Sequence, residues 1–457
     1  MFCKKLKRRI ILCMSFSKLK LFVLIIITAI VISLAAISHA ETEQELAKSF
    51  MNEVRANFSI IDDPLIQDYI QKLGQRLVVH ADSQYKIFHF FIVDDNTINA
   101  FSGPNGNIGI NSGIFLATNS ESELASVLAH EISHVTQKHI ARLGTEEKGL
   151  IIPKIATTAA IVAAGMVSKS NSSANMTAGA VLTGMAGSSQ YEINSVRSFE
   201  READRIGIKL LYLSGFDPLA MPEFFERVEN YSLNTVGDVP ALLIDHPVTA
   251  ERIADARNRA MSYQKHQIIT DPNYYLIKTR LKVLTSENDY RIDDYFKKRL
   301  EDGSEASREA AEYGYALILL KTAQFSEAHQ IINKLLRKYP DNLIYALALA
   351  EIKTEENKNE DAVVISRKLL AKNADSYAAI VTYASNLIAA KHYRLAENFL
   401  TAQTENYPND PTIFDLLTLA QGKNGHLKNA YRTRAKLFGL FGYDKAAAIQ
   451  LEQARKY

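Results

Sequence analysis

The chain has 457 residues and a formal net charge of +2, but its charges are unevenly distributed. Seven of the 53 Lys and Arg residues lie in residues 1–40, where there is no Asp or Glu. The 417 residues from Glu41 onward therefore carry 46 basic and 51 acidic side chains, a net charge of about −5. This length is enough for two or three domains. No basic patch of the type that binds nucleic acids is present, which excludes a nucleic-acid role.

The N-terminal 40 residues have the organisation of a secretory signal. Basic residues precede the apolar stretch 21–37, and the sequence Ser-His-Ala at 38–40 places small residues at positions −3 and −1 of a cleavage site. We expect cleavage before Glu41, with an uncleaved membrane anchor as the alternative. Both cysteines of the chain, Cys3 and Cys13, lie within this segment, so the mature chain can form no disulfide.

The sequence His-Glu-Ile-Ser-His at residues 130–134 is the most informative motif of the chain. Neither Gly nor Pro follows it until Gly144, which predicts a helix through the motif and beyond it. Positions i and i+4 of a helix lie on the same face, so His130 and His134 can present two imidazoles to one metal ion. Glu131 lies beside them, where it can activate a bound water. The spacing predicts one zinc ion per chain, and a pair of ordinary surface histidines is the alternative.

A third zinc ligand is expected from a second helix downstream. Glu200 and Asp204 precede an amphipathic stretch, and they too are four residues apart. Catalytic zinc sites have three protein ligands and one open position, which favours Glu200 as the third ligand. We expect Asp204 to accept a hydrogen bond from the far nitrogen of a ligand imidazole. Glu202 is the competing ligand, but it lies about 200° around the helix from Glu200. A solvated charged face is the alternative for the whole stretch.

Two further histidines differ in their expected roles. His246 stands before Pro247 and a predicted helix, so it could reach the cleft from a loop. It would occupy the fourth zinc position in a resting form, or stabilise the tetrahedral intermediate, with Arg252 supporting it. A residue that only starts the helix is the alternative. His139 lies nine residues after His130, on the opposite face of a continuous helix, so we expect it to support or pack against the site.

The C-terminal part of the chain repeats every 34 residues. Small residues recur at this interval, at Ala328, Ala362, Ala396 and Ala430. A second series lies twelve residues before the first, at Ala316, Ala350, Ala384 and Thr418. This period, with small residues where two helices touch, is typical of tetratricopeptide repeats, which stack into a solenoid with an extended binding surface. A coincidence of alanines in an Ala-rich region is the alternative.

Two short apolar runs, 155–167 and 176–186, lie between the two zinc motifs. Each run is too short to span a bilayer. We interpret residues 150–190 as a helical hairpin packed on the core of the domain that carries these two motifs. A mobile lid beside the active site, or an element that contacts the membrane surface, is the alternative.

The ordered set of motifs resembles one family. The pattern His-Glu-x-x-His, followed by Glu-x-x-x-Asp at 200–204, is similar to that of the gluzincins, of the group that contains HtpX and the CAAX prenyl proteases. Residues 63–74 resemble a helix near the start of the soluble periplasmic members, residues 99–113 resemble their active-site edge strand, and residues 246–253 resemble their His-Pro…Arg motif. The similarity is greatest to the periplasmic members that assist β-barrel assembly and carry a C-terminal repeat domain. It covers most of the chain after residue 40.

We therefore expect an α+β zincin-type metalloprotease domain, mostly helical, followed by an all-α tetratricopeptide solenoid. Residues 1–40 would be the signal peptide and residues 41–262 the zinc metalloprotease domain. Residues 263–300 would form a helical linker, and residues 301–457 the repeat domain. This division predicts that a chain ending near residue 265 keeps a complete zinc site.

The resemblance implies a periplasmic zinc endopeptidase that acts in quality control and assembly of outer-membrane β-barrel proteins. The expected zinc ligands are His130, His134 and Glu200, and the expected catalytic residues are Glu131, His246 and Asp204. Unfolded or misassembled outer-membrane proteins would bind as an added strand near Phe101–Ile110, and the repeats would recruit these substrates or the assembly machinery. A non-catalytic assembly factor or chaperone with a silent zinc site is the alternative.

Overall fold

The computed structural model describes residues 43–85, 87–145, 190–234, 240–286, 289–302 and 305–457. The expected signal segment, and the expected hairpin at 150–190 apart from its last residue, lie outside these residues, so both stay predictions. Within the part of the chain that the structure describes, no helix is both long enough and apolar enough to cross a membrane.

A small three-stranded sheet forms the β part of the N-terminal half. Its strands are β1 (His89–Val93), β2 (Ala100–Ser102) and β3 (Asn107–Asn111), in the order β1-β3-β2. Strand β3 pairs parallel with β1 and antiparallel with β2, and all five of its residues are buried. The assignment of Phe101–Ile110 to one edge strand is therefore wrong. This stretch forms parts of two strands joined by a 3₁₀ turn, Pro104–Gly106, and of the two only β2 lies at an edge.

Helices make up most of the remaining N-terminal half. In chain order they are α1 (43–57), α2 (Pro64–Val78), α3 (Ser112–Ala117), α4 (Glu121–Thr136), α5 (His139–Thr145), α6 (Gln190–Leu213), α7 (Ala220–Asn234), α8 (Ala241–Asp245) and α9 (Ala250–Met261). Helix α4 is central, because it packs against α2, α6 and α7 and along β2 and β3. Fourteen of its sixteen residues are buried, so the polar side chains that it carries require partners or a function.

Helix α4 ends at Thr136, although no Gly or Pro follows the motif until Gly144. Lys138 has a φ of +53°, in the left-handed region, and the new helix α5 begins at His139. A left-handed residue ends the helical hydrogen-bond ladder and changes the direction of the chain. His139 therefore does not lie on the face that a continuous helix would give it.

The C-terminal half is a regular array of antiparallel helices. They are α10 (Tyr274–Leu284), α11 (Asp289–Asp302), α12 (Glu305–Lys321), α13 (Phe325–Lys338), α14 (Leu343–Glu355), α15 (Asn359–Lys372), α16 (Tyr377–Ala389), α17 (Tyr393–Asn406), α18 (Pro411–Lys423), α19 (Leu427–Leu440) and α20 (Asp444–Ala454). All eight residues of the two 34-residue series are buried between these helices. The predicted repeat architecture is therefore confirmed.

The turns inside the helix pairs repeat with the same period. Ala323, Asn357, Lys391 and Gly425 are 34 residues apart, and all have φ between 59° and 83°. Each stands two residues before the second helix of its pair. The left-handed conformation normally favours Gly or Asn, yet only two of the four positions carry one. The backbone geometry thus repeats even where the side chain does not.

The array curves back onto the N-terminal half. Helix α10 packs against α2 and α3, and α16 packs against α2. Arg280 of α10 lies at this contact, with its guanidinium 2.7 Å from Asp63 Oδ2 and 3.1 Å from Glu351 Oε2. One continuous hydrophobic core contains residues from both halves of the chain, the first of them Leu65 and the last Ala378. The domain boundaries stay predictions, but α10 of the predicted linker helps to form the core of the predicted protease domain.

Candidate metal centre

Two imidazoles of α4 point to a common position. His130 and His134 are one turn apart, and their Nε2 atoms are separated by 3.0 Å. The helix is fixed at its N-terminus by Ser120, whose side chain accepts a hydrogen bond from the Glu123 backbone N–H at 3.2 Å. The helical spacing of the motif thus brings both rings to one side of α4.

A third side chain comes from α6, which packs along α4. Glu200 Oε2 lies 3.3 Å from His130 Nε2, and Glu200 Oε1 lies 3.4 Å from His134 Nε2. The close approach of the two helices depends on Gly207. A Cβ atom at this position would lie 3.3 Å from backbone atoms of both Ala129 and His130. A larger residue would therefore push α6, and with it Glu200, away from the histidines.

Asp204, one turn after Glu200, contacts the other nitrogen of the His130 ring. Its Oδ1 lies 3.1 Å from His130 Nδ1. Arg252 holds both carboxylates: it donates to the two Asp204 oxygens at 2.8 and 2.9 Å, and its Nη1 lies 3.1 Å from Glu200 Oε2. Such bidentate, charge-assisted contacts fix geometry strongly. The expectation that Arg252 supports His246 is therefore replaced by a direct role in holding Asp204 and Glu200.

His246 completes the cluster from the loop that follows α8. Its Nδ1 lies 3.3 Å from His130 Nε2 and 3.1 Å from Glu200 Oε1. Its Nε2 lies 3.5 Å from Glu131 Oε1. One imidazole ring therefore contacts both the group of ligand atoms and the carboxylate beside it.

The loop that carries His246 is attached to the segment before β2. The Leu242 N–H donates to the Ile98 carbonyl at 3.0 Å, and Asn99 Nδ2 donates to Asp245 Oδ2 at 3.0 Å. Asn99 and Asp245 are far apart in the sequence and belong to no common motif, so the sequence did not indicate this contact. The beginning of the edge strand and the His246 loop are thus directly connected.

The four side chains fit a tetrahedral zinc ion. Ligand atoms of His130, His134, Glu200 and His246 all lie within 4.8 Å of one another. Bonds of about 2.0–2.1 Å in a tetrahedron separate ligand atoms by about 3.3 Å. The two α4 imidazoles are 3.0 Å apart, and the contacts of Glu200 with the three rings are 3.1–3.4 Å. Imidazole and carboxylate are also donors that zinc accepts readily.

The charges of the cluster favour a cation at its centre. Burial alone would lower the pKa of His130, but the carboxylates of Asp204 and Glu200 raise it to about 10. Burial lowers the pKa of His134 well below its usual value, and the neighbouring histidines add to this effect. Burial would raise the pKa of Glu200, but His246 and the two α4 histidines hold it well below its usual range. Negative charge is therefore maintained at the point where the rings converge.

Glu131 lies beside this cluster without joining it. Glu131 is 1% exposed, and within the described part of the chain neither oxygen of its carboxylate has a hydrogen-bond partner. Burying an unpartnered carboxylate is unfavourable, so such a group at a site indicates a function. His246 Nε2 lies 3.5 Å from Oε1, but no hydrogen bond from a described residue engages either oxygen.

Glu202, the competing ligand candidate, lies outside the cluster. Its Oε2 is 3.1 Å from His139 Nε2 and 2.8 Å from Arg142 Nη1. His139 in turn contacts the far side of His134, with 3.1 Å between the two Nδ1 atoms. The sequence placed His139 near the site but missed this contact, because nothing at Lys138 signalled the end of α4.

Comparison with known proteins finds relatives of both halves of the chain. Residues 64–260 match Peptidase family M48, and residues 353–420 match the Tetratricopeptide repeat family. The chain is 33% identical over 434 residues to the beta-barrel assembly-enhancing protease of Yersinia pestis, covering 90% of this chain and 87% of that protein. It is 32% identical over 411 residues to the protein of the same name from Escherichia coli, covering 89% and 82%. A putative member from Vibrio cholerae is 33% identical over 402 residues, covering 87% and 82%.

These similarities extend over both halves of the chain. The part that matches family M48 contains Glu131 and all four side chains of the cluster. The helix pairs follow this part in the sequence. The chain belongs to the β-barrel assembly-enhancing protease family, which combines an M48 metallopeptidase with tetratricopeptide repeats.

Proposed function

We propose that the chain is a zinc endopeptidase in which His130, His134 and Glu200 hold one zinc ion. The observation that carries this proposal is the spacing of the ligand atoms, 3.0–3.4 Å, which suits tetrahedral zinc. When bound, zinc supplies a Lewis acid that polarises a peptide carbonyl and lowers the pKa of a coordinated water toward about 7.

Glu131 is the general base of the proposed reaction. It accepts the proton of the attacking water and then delivers that proton to the leaving amine. Its buried and unpartnered oxygens support this role. Asp204 acts through His130: its oxygen, 3.1 Å from Nδ1, favours a proton there, so that the Nε2 lone pair would be available to the metal. Arg252 keeps Asp204 in place by two buried hydrogen bonds.

His246 would occupy the fourth ligand position of a resting form. Its Nδ1 is within 3.1–3.3 Å of two ligand atoms, and its Nε2 faces Glu131. A water between these ligand atoms and Glu131 would need the position that the ring fills. Hydrolysis therefore requires His246 to leave. The alternative role, stabilisation of the tetrahedral intermediate, requires the ring to stand beside the open position instead of filling it.

The edge strand β2 is the proposed substrate-binding element. It lies at one end of the strand order and packs along α4, which carries the catalytic motif. An extended peptide that adds to a sheet edge is bound through its main chain, which favours unfolded segments and loops over folded domains. Such a peptide would run past the junction between β2 and the His246 loop, where Asn99 donates to Asp245.

The cellular role that we propose follows from the relatives' names and from the array. The family members are named for enhancing β-barrel assembly, so we propose that this chain acts in the periplasm on unfolded or misassembled outer-membrane proteins. The curved array would recruit these substrates or the assembly machinery, since a solenoid offers an extended binding surface. The signal-like residues 1–40 support export to that compartment.

A non-catalytic assembly factor is the second candidate. In that case the array alone would act and the zinc site would be silent. The buried, unpartnered Glu131 favours catalysis, because a site that only stabilises the fold has no use for a free carboxylate beside the metal. The two activities are compatible in one chain.

The deciding experiment is casein degradation by purified residues 41–457, with and without a zinc chelator. Glu131→Gln should retain zinc, because Glu131 is not a ligand, and should lose cleavage. Cleavage that survives both the chelator and this substitution would remove the proposed mechanism. A wild-type chain that binds zinc but cleaves nothing would favour the assembly factor.

A further inference from the structure

The two ligand histidines of α4 meet different partners through their Nδ1 atoms. His130 meets the carboxylate of Asp204 directly, whereas His134 meets His139, at 3.1 Å between the Nδ1 atoms. The other nitrogen of His139 lies 3.1 Å from Glu202 Oε2. We infer that His139 and Glu202 form a hydrogen-bonded chain that orients His134, and that both are positioning residues of the metal site.

The direction of each hydrogen bond in this chain follows from one constraint. When His134 binds a metal through Nε2, the neutral ring carries its proton on Nδ1 and can only donate there. His139 must then accept at its own Nδ1, so its proton resides on Nε2. That Nε2–H donates to the carboxylate of Glu202. One carboxylate thereby selects the tautomers of two imidazoles in series. This inference rests on the proposed function, because it takes the metal to be on His134 Nε2.

The surroundings hold His139 in the orientation that the chain requires. Its side chain is 2% exposed, and its ring stacks on Phe199 with centroids 4.5 Å apart and 15° between the planes. Arg142 lies over the same Phe199 ring at 4.4 Å and donates to Glu202 Oε2 at 2.8 Å. Arg142 thus holds the Glu202 carboxylate from the solvent side, while the carboxylate accepts a hydrogen bond from His139 on the core side.

The competing interpretation of Glu202 is an ordinary surface charge. Its side chain is 27% exposed, and an ion pair with a half-exposed arginine contributes little by itself. Two facts argue for a role at the metal site. The Glu202 carboxylate contacts the buried imidazole of His139, and that imidazole in turn contacts Nδ1 of His134. Without His139, the buried Nδ1–H group of a metal-bound His134 would lose its hydrogen-bond acceptor.

The structure allows each link to be removed separately. His139→Phe keeps a flat ring to stack on Phe199 but removes both nitrogens. Glu202→Ala removes the terminal acceptor, and Glu202→Gln keeps an amide oxygen that can accept from His139. Outer partners of metal-bound histidines contribute roughly 10–100-fold to metal affinity. We expect losses in this range for His139→Phe and Glu202→Ala, and a smaller loss for Glu202→Gln.

Glu251→Ala is the matched control. The Glu251 carboxylate lies 3.0 Å from Arg201, the neighbour of Glu202 on α6. Both side chains of this pair are at least half exposed, and neither contacts a ligand histidine. This variant should bind zinc as tightly as the wild type. The dissociation constant for zinc is measured on residues 41–457 by competition with a chromophoric chelator, and circular dichroism verifies that each variant is folded.

Nitrogen-15 spectra of the imidazoles give a readout that a purely structural role would not move. In the zinc-loaded wild type, His134 should carry its proton on Nδ1 and His139 on Nε2, and the His139 Nε2–H resonance should shift in Glu202→Ala. A wild type that binds no zinc would defeat the proposed function and this inference together. Unchanged affinity in folded His139→Phe and Glu202→Ala, or a His139 proton on Nδ1, would overturn the inference alone. Should His139→Phe fail to fold, the two Glu202 variants still decide it.

Discussion

Arg280 provides a direct test of how the two halves of the chain are joined. Its side chain is 9% exposed and its Nη2 lies 2.7 Å from Oδ2 of Asp63, whose side chain is 8% exposed. Asp63 also caps α2, because its Oδ1 accepts hydrogen bonds from the N–H groups of Leu65 and Ile66 at 3.1 Å. Arg280→Met keeps an unbranched, mostly apolar side chain in this position and leaves a buried carboxylate without its cation.

The expected loss is large because the pair is buried. Removing one partner of a buried ion pair costs about 3–5 kcal/mol, since the remaining charge stays desolvated. For an unfolding m-value of about 3 kcal/mol/M in urea, the midpoint should fall by about 1–1.7 M. Asp63→Asn combined with Arg280→Met removes both charges and keeps a side-chain acceptor for the α2 cap. This double variant should therefore be more stable than Arg280→Met.

Unfolding in urea is followed by far-ultraviolet circular dichroism and by tyrosine fluorescence, because the chain has 21 Tyr and no Trp. Lys372→Met is the matched control. The ion pair of Lys372 with Asp341 has side chains that are 68% and 83% exposed, so its loss should cost about 0–1 kcal/mol. If Arg280→Met lowers the midpoint no more than Lys372→Met does, the buried pair does not hold the junction and the reasoning fails.

Three further predictions concern the metal site and the domain boundary. Glu200→Ala removes one of three protein ligands, so zinc content and casein cleavage should be lost together; retained zinc would place the third ligand elsewhere. His246→Ala opens the fourth ligand position, so cleavage of a short unfolded peptide should rise at unchanged zinc content, whereas a fall would favour a role in stabilising the intermediate. Ending the chain at Lys265 removes Tyr274, which is buried with its hydroxyl 2.8 Å from Thr118 Oγ1, so the melting temperature and the cleavage of casein should both fall. A stable and active fragment would show that the protease half folds alone.

The features that the sequence predicted well are those set by local periodicity. The spacing of four between His130 and His134 fixes a common helical face, and so does the spacing between Glu200 and Asp204. The 34-residue period likewise predicted which small residues lie between helices, because each repeat unit contacts mainly its neighbours. In the first case the signal lies within about one helical turn, and in the second it lies within one pair of neighbouring helices.

The features that the sequence missed depend on contacts between distant segments. The resemblance predicted one edge strand near Phe101–Ile110, but a resemblance in sequence does not say which strands pair. Strand β3 became the centre of the sheet because β1, earlier in the chain, pairs along its other side. The contact between Arg280 and Asp63 joins residues 217 positions apart, and no periodicity connects them. For the same reason, the sequence did not indicate that α10, which follows the expected end of the protease domain at residue 262, packs against α2 and α3.

One turn of α6 shows why the site was predicted only in part. Glu200 and Asp204 were expected on one face, and the structure brings both to His130. Glu202 was set aside because it points away from that face, and it does not join the ligands. It reaches the site by a different route: the chain reverses at Lys138, so His139 lies between Glu202 and the far side of His134. Of the three carboxylates, Glu200 contacts the ligand imidazoles itself and Asp204 lies behind one of them, whereas Glu202 lies behind His139 and His134 in series. A helical wheel shows that Glu200 and Asp204 share a face of α6. It cannot show that Glu202 contacts His139, because that contact depends on where α4 ends.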